Sequence, residues 1–223
     1  MELVWDHLRY KIGDKIVSNL SFNDEQIRLL RDGLKPAQRI ADICLGFGNL
    51  ASALVLEGKT VYGVDINPRS VAYARMKIGS GVKGKFYGIE AKAQQMPFRD
   101  GTMDGACCAS SLGLFYDLDP LMSELGRVVK PSGIVAVTGY ISANGPRWIE
   151  NAQRELVNKA TAGKLYFRQE ELEKLREIPG YLPLDLPDEA PEKTKTALQR
   201  RGFTILSERT FASETGYFIL ALR

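Results

Sequence analysis

Between Ile40 and Tyr140 the chain alternates short apolar runs with amphipathic stretches. Ile40–Cys44, Thr60–Val64, Lys85–Ile89, Gly105–Ser110 and Ile134–Gly139 read as strands, rich in β-branched and small apolar residues. Leu50–Glu57, a segment from Pro68 to about Ile78, and one from about Leu121 to Val129 read as the helices between them. Pro68 after Asn67 suits a first helical turn, and Lys130-Pro131-Ser132-Gly133 closes the last helix. Repeated strand–helix units predict a parallel sheet with right-handed crossovers and helices on both faces.

The flanks break this rhythm. Before Pro36, Asn23-Asp24-Glu25 reads as a helix start and Gly33 as a stop, predicting a helix over about Asp24–Asp32. After Tyr140, Pro146 to about Ala162 and Arg168 to about Glu177 read as amphipathic helices, the first carrying Trp148, Ile149, Ala152, Leu156 and Val157 at helical spacing. A proline-rich stretch from Ile178 to Pro191 leads to a helix over about Lys193–Arg201. Thr204–Phe211 and Tyr217–Leu222, joined by Ala212–Gly216, predict a β-hairpin and hence an antiparallel sheet edge. The expected layout is one domain over 1–223: an N-terminal helical lid (1–35), a core (36–140), a helical cap (141–192), and a last helix with the C-terminal hairpin (193–223). The cap falls at the C-terminal edge of the strands, where open α/β sheets bind ligands.

Composition narrows the class. In 223 residues, 44% apolar and 26% charged is ordinary for a globular domain. Thirty Lys and Arg against 27 Asp and Glu leave a net charge of +3 with no basic block, which disfavours nucleic acid as a partner. No apolar run suggests a membrane span, and the N-terminus lacks a signal-peptide core. Cys44, Cys107 and Cys108 lie in or beside apolar strands and read as reduced core thiols of a cytoplasmic protein. His7 is the one histidine, and no Cys/His cluster has metal-ligand spacing, so no metal is expected.

The chemistry concentrates in Arg39–Asp65. Strand, glycine turn (Gly46-Phe47-Gly48), helix, second strand and a terminal acid, Asp65, form the opening half of a nucleoside-cofactor domain. Glycines allow close backbone approach, the helix start offers free N–H groups, and Asp65 is placed for ribose hydroxyls. Gly46 to Ala51 also fits the dinucleotide pattern G-x-G-x-x-A, so an NAD-dependent oxidoreductase competes. The Tyr-x-x-x-Lys spacing occurs at Tyr73–Lys77, in the helix opened by Pro68, and no His–carboxylate pairing supplies a proton relay for its substrate.

Four blocks, in order, resemble the class I S-adenosylmethionine-dependent methyltransferases, especially the small-molecule branch called type 11. Asp42 to Gly48 is similar to D-x-G-x-G-x-G, and Gly63-Val64-Asp65 to the ribose-acid block. Met96-Pro97-Phe98-Arg99-Asp100-Gly101-Thr102-Met103-Asp104 resembles L-P-F-x-D-x-S-F-D. Glu124 to Gly133 resembles E-x-x-R-V-L-K-P-G-G. The resemblance implies a Rossmann-like three-layer sandwich with a seven-stranded, mostly parallel sheet in the order 3-2-1-4-5-7-6, strand 7 antiparallel, and a helical cap insertion. It implies S-adenosyl-L-methionine as cofactor, S-adenosyl-L-homocysteine as product, and methyl transfer to O, N or C of a small organic acceptor. Such a displacement needs alignment and a dry pocket, with neither metal nor covalent nucleophile.

The resemblance also assigns residues. Asp42 orients the glycine loop and the cofactor's amino group, Gly46 and Gly48 line its methionine and ribose end, and Asp65 takes the ribose. Ile66 packs on adenine. The adenine-contacting acid of the family falls on Lys92, which has no acceptor; Ala93 through its backbone, Gln94, and the earlier Glu90 are the candidates there. Cys44 stands at the family's first glycine, where a Cβ narrows the approach. Ser110 sits where the family's backbone passes the transferred methyl. Candidates for a general base are His7, Tyr10, Tyr116, Asp117 and Tyr140, the first three taken as the catalytic candidates; Tyr116, Tyr140 and Trp148 are candidates for the substrate side. Trp5 and Tyr10 fit a lid. Trp148, Tyr166, Phe167 and Tyr181 fit an acceptor pocket or the contact of a homodimer. Cys44 and Lys92 also leave open a cofactor-binding, non-catalytic partner subunit.

Overall fold

The computed structural model describes residues 7–141, 145–171, 191–212 and 216–223, with residues 7–9 and 145–150 as backbone only. Seven strands make one sheet in the order β3-β2-β1-β4-β5-β7-β6. They are β1 (Arg39–Ile43), β2 (Thr60–Asp65), β3 (Lys85–Glu90), β4 (Met103–Ala109), β5 (Val129–Tyr140), β6 (Thr204–Phe211) and β7 (Gly216–Leu222). β7 runs antiparallel to both β5 and β6, and the other pairings are parallel. The expected order and antiparallel strand are therefore present.

The helices are α1 (His7–Val17), α2 (Ser21–Gly33), α3 (Asn49–Leu56), α4 (Pro68–Ile78), α5 (Asp119–Val128), α6 (Gly145–Thr161) and α7 (Pro191–Arg200). A single turn of 3₁₀-helix covers Leu112–Leu114. Strand alternation splits the interior into two cores. Ala41, Ile43, Ala106, Cys108, Val135 and Val137 face the layer holding α5 and α7. Ile40, Val61, Cys107 and Ala136 face the layer holding α2, α3 and α4. The central strands β1, β4, β5 and β7 bury both faces, as strands under two helical layers must, while the edge strands β3 and β6 stay largely exposed. Among the described residues, no helix is long and apolar enough to cross a membrane.

Two boundaries differ from the sequence expectation for a physical reason. β5 starts at Val129, not Ile134, because Met103 pairs with Val129 and the chain end holds the following turn. There Ser132 N–H donates to the Arg223 carbonyl and Arg223 N–H to that of Gly133. α2 starts at Ser21, three residues ahead of Asp24, with Leu20 at the N-cap and no local side-chain cap. The cap comes from α6 instead: the Glu155 carboxylate accepts from Ser21 N at 2.9 Å and from Ser21 Oγ at 2.9 Å. Asn23 is thus in the first turn, and buried. At α4 the local signal holds: Asn67 Oδ1 accepts from Arg69 N at 3.0 Å, with Pro68 following it.

Two of the sequence blocks prove to be one bracket. Arg127 on α5 donates to the Met96 carbonyl (3.0 Å), the Phe98 carbonyl (2.7 Å), Asp100 (2.7 Å) and both oxygens of Glu124. Glu124 Oε1 also accepts from Met96 N at 2.6 Å. Asp104 accepts from Arg39 N at 2.7 Å and pairs with Lys130 at 2.8 Å, fixing the start of β1. The segment from Met96 to Asp104 and α5 are locked together away from the strands' C-terminal edge.

Trp5, Tyr181, the end of the expected helix after Arg168, the proline-rich stretch and the turn of the hairpin lie outside the described residues, as do the side chains of His7 and Trp148.

Candidate functional site

At the C-terminal ends of β1, β4 and β5 a cleft of ≈ 280 Å³ opens between α2 and the glycine turn. Asp42, Cys44, Gly46 and Phe47 form one side, Ser110, Ser111, Leu114 and Tyr140 the other, and Phe22, Asn23 and Gln26 of α2 close it.

Asp42 is the floor. It is 2% exposed and lies opposite Cys107 in the register of β1 with β4. Burial lifts its carboxyl to about 7, against the Cys107 S–H at 3.5 Å and an N–H from Ala51. Burial likewise raises Cys107. One weak S–H donor and one amide do not meet the four acceptor sites of a carboxylate.

The turn that follows is held in left-handed conformations. Cys44 has φ 56°, Gly46 53° and Gly48 70°. Gly48 could not carry a side chain: a Cβ there would stand 2.8 Å from Ala74 Cβ. Cys44 adopts the same region with a side chain attached, and a thiol–thiol hydrogen bond with it, together with burial, raises Cys108. Cys107 and Cys108 are buried as expected, whereas Cys44 is half-buried and lines the cleft, so it is not a core residue. The cause is the left-handed turn that carries the chain out of the sheet.

Asp65 ends β2. Its Oδ2 accepts from Gly46 N and its Oδ1 from Asn67 N, both at 2.9 Å. Each oxygen keeps a second lone pair for a ligand hydroxyl. Ile66, 65% exposed, offers an apolar face beside it. Of the adenine candidates, Ala93 is buried while Lys92 and Gln94 are exposed. Glu90 is exposed and lies opposite Asp65 in the β2–β3 register.

α1 crosses the outside of this turn. Tyr10 is buried, with its hydroxyl 3.2 Å from Ser70 Oγ and accepting from Asn67 Nδ2 at 2.8 Å; its ring meets Phe47 edge-on. Asp14 pairs with Lys77 at 2.6 Å and accepts from Tyr73 at 3.0 Å. Tyr10 therefore ties α1 to α4 next to Asp65, and burial raises its hydroxyl. Tyr116 is fully exposed, in a loop whose Ser111 and Leu114 line the cleft.

On the far wall Tyr140 stacks on Phe22, ring centroids 4.9 Å apart. Burial pushes its hydroxyl up to about 12, against a hydrogen bond with Ser110. Ser110, itself at φ 55°, donates from Oγ to Gln26 Oε1, which also accepts from Thr138 Oγ1 at 2.9 Å. Asn23 and Gln26 have no counterpart among the sequence-derived candidates. Asn23 reads as a helix start, and Gln26 carries no signal except its spacing of three from Asn23, which puts both on one helix face. Among the described residues, no group of three or more His, Cys, Asp or Glu could hold a metal.

A family described as a methyltransferase domain matches residues 41–137. The demethylmenaquinone methyltransferase of Thermus thermophilus is 36% identical over 109 residues, 48% of this chain and 49% of that protein. A ubiquinone/menaquinone biosynthesis C-methyltransferase of Vibrio cholerae is 34% identical over 112 residues, 48% of this chain and 43% of that one. The chain thus spans about half the length of these relatives. Among solved structures, the [4+2]-cyclase SpnF shares the fold with a TM-score of 0.65 at 17% identity, covering 92% of this chain and 83% of the cyclase.

Proposed function

We propose that this chain, a class I S-adenosylmethionine-dependent methyltransferase by fold and sequence blocks, binds S-adenosyl-L-methionine across the glycine turn and methylates a small organic acceptor in the cleft. The observation that supports this most is Asp42: a buried carboxylate, short of partners, that lines the cleft. The cofactor's amino group is the cation that suits it, Asp65 and Ile66 suit its ribose and adenine, and Gly46 and Gly48 leave the backbone free to approach. When bound, the cofactor supplies an electrophilic methyl on a sulfonium that leaves as a neutral thioether.

The residues around the cleft then have three tasks. Asp42 and Asp65 orient, Phe22, Leu114 and Tyr140 exclude water, and the turn fixes the line of approach. None of them is a ready base. Asp42 is committed to a cation, and Tyr140 holds its proton far above neutrality. Among the described residues the cleft thus offers no ready base, which favours an acceptor nucleophilic without help: an electron-rich ring carbon or an acidic phenol. The relatives' names, both quinone-pathway methyltransferases, point the same way.

Calorimetric titration with S-adenosyl-L-methionine, S-adenosyl-L-homocysteine and NAD in parallel tests the reading. Micromolar binding of both adenosyl sulfur compounds is expected, weakened at least about tenfold in Asp65→Ala. Binding of NAD alone would replace this reading with an oxidoreductase. Cys44 favours one second reading, a cofactor-binding partner without turnover, because it narrows the turn where the family has glycine. Methylation of any acceptor would dispose of it.

A further inference from the structure

We infer that Asn23 and Gln26 form the specificity element of the cleft, reading an oxygen substituent on an aromatic acceptor, so that a dihydroxylated ring is chosen over its bare hydrocarbon. The inference rests on the proposed methyl transfer for the word acceptor, but not for the site itself.

Both residues are 6% exposed and both line the cleft. Asn23 has no side-chain hydrogen bond among the described residues, although its backbone N–H is used by the Leu20 carbonyl. Leaving a primary amide buried without partners is costly, and native proteins rarely keep one without a purpose. Gln26 is half used: its carbonyl oxygen takes the hydroxyls of Ser110 and Thr138, while its NH₂ group has no partner among the described residues. Two carboxamides three residues apart on α2 therefore present unspent donors, and in Asn23 an unspent acceptor, to one cavity.

The surroundings select the ligand. The nearby walls are Phe22, Leu114 and the ring of Tyr140, which suit a flat apolar body. Among the described residues no Lys or Arg lines the cleft, so the walls described favour a neutral substituent over an anionic one. Neutral amides pair well with a neutral hydroxyl or carbonyl. A site built to hydrogen-bond an oxygen rejects the analogue lacking it, because its own buried groups stay unpaired. The Ser110–Gln26–Thr138 chain fixes the Gln26 rotamer, so the selection is preorganised.

The test is binding of 1,4-dihydroxynaphthalene and of naphthalene to the whole chain, each with saturating S-adenosyl-L-homocysteine and without it. The wild type should prefer the diol by about tenfold or more. Asn23→Leu should bring that preference close to unity, keep the affinity for S-adenosyl-L-homocysteine within about twofold, and melt no lower than wild type, since it removes an unpaired buried group. Gln26→Leu should act alike on preference but also unpair two hydroxyls, so Asn23→Leu carries the decision if it folds poorly. A diol preference that survives in Asn23→Leu overturns the inference. So does a wild type that binds S-adenosyl-L-homocysteine but not the diol. Loss of S-adenosyl-L-homocysteine affinity in Asn23→Leu overturns it too, assigning Asn23 to the cofactor's carboxylate. A wild type that binds no adenosyl compound yet prefers the diol would instead sink the proposed methyl transfer and leave this site standing.

Discussion

Two regions of this molecule carry sequence blocks of equal prominence, and they are built on opposite terms. Around Arg127 every polar group finds another. The guanidinium meets two carbonyls and two carboxylates, Glu124 also takes the Met96 N–H, and Asp104 takes Arg39 N–H and Lys130. Around Asp42 the terms reverse. The carboxylate is buried with weak partners, Cys44 and Ser110 sit at positive φ, and among the described residues the Asn23 carboxamide and the Gln26 NH₂ have no hydrogen-bond partner. The Arg127 bonds lower Glu124 against the pull of burial; burial raises Asp42 against its few bonds. A satisfied cluster holds the fold together, while an unsatisfied one is waiting for something. Recurrence of a block in a family does not tell these apart, but the hydrogen-bond census does.

The comparison breaks most visibly at Arg127. Arg127→Ala leaves Glu124, whose side chain is 10% exposed, as a nearly buried charge with one amide partner. Removing one partner of such a pair costs about 3–5 kcal/mol, a fall of very roughly 6–20 °C in Tm for a domain of this size. Asp100, 80% exposed, contributes little to that figure. Arg127→Lys should rescue only part, since a single ammonium cannot reach both carbonyls and both oxygens of Glu124. Thermal melts of the three proteins check this. A variant melting like wild type would mean that the bracket is ornamental.

Asp42 should answer with the opposite sign. Its carboxyl titrates at about 7 in the fold and near 3.8 when free. Between those values the folded chain binds the extra proton, so stability falls as pH rises through that window and stays low above it. Asp42→Asn removes the buried charge. At pH 8 it should gain on the order of 2 kcal/mol, discounted from the full conversion because buried sites relax. At pH 4 it should gain almost nothing. It should also bind S-adenosyl-L-methionine far more weakly, which is the signature of stability given up for function. Melts at the two pH values, with one titration, decide it; a destabilised Asp42→Asn at pH 8 would place Asp42 with the scaffold.

How much of this the sequence displays depends on the same contrast. Strand and helix order between Ile40 and Tyr140 is legible because period and turn chemistry act locally, as at Asn67-Pro68. Asp42, Gly46, Gly48 and Asp65 are legible because a backbone turn and a strand-end acid leave a spaced pattern. The start of α2 is not, because its cap arrives from Glu155, over a hundred residues away in sequence. Asn23 and Gln26 are not, because neither residue type nor spacing announces that a side chain ends buried with an NH₂ group unspent among the described residues. The bracket role of Arg127 is hidden for the mirror-image reason: its block is conspicuous, but only the packing of α5 on the loop after β3 reveals what it holds.

The smallest effect is the sharpest. Cys44 pays for its left-handed backbone with strain of about 1 kcal/mol, which a glycine would not bear. Against that, Cys44→Gly loses a weak thiol contact with Cys108, some apolar burial, and the restraint a side chain puts on the unfolded chain. The terms are similar in size, so Tm should stay within a few degrees of wild type. Affinity for S-adenosyl-L-homocysteine should rise or hold, since the missing Cβ widens the approach. Removing a side chain from the Arg127 bracket cannot have so mild an outcome, because each side chain there holds a partner that its loss would strand. If Cys44→Gly instead melts far below wild type, the turn is part of the scaffold, and the division between a satisfied frame and a strained, waiting site fails at the residue where it is most exposed.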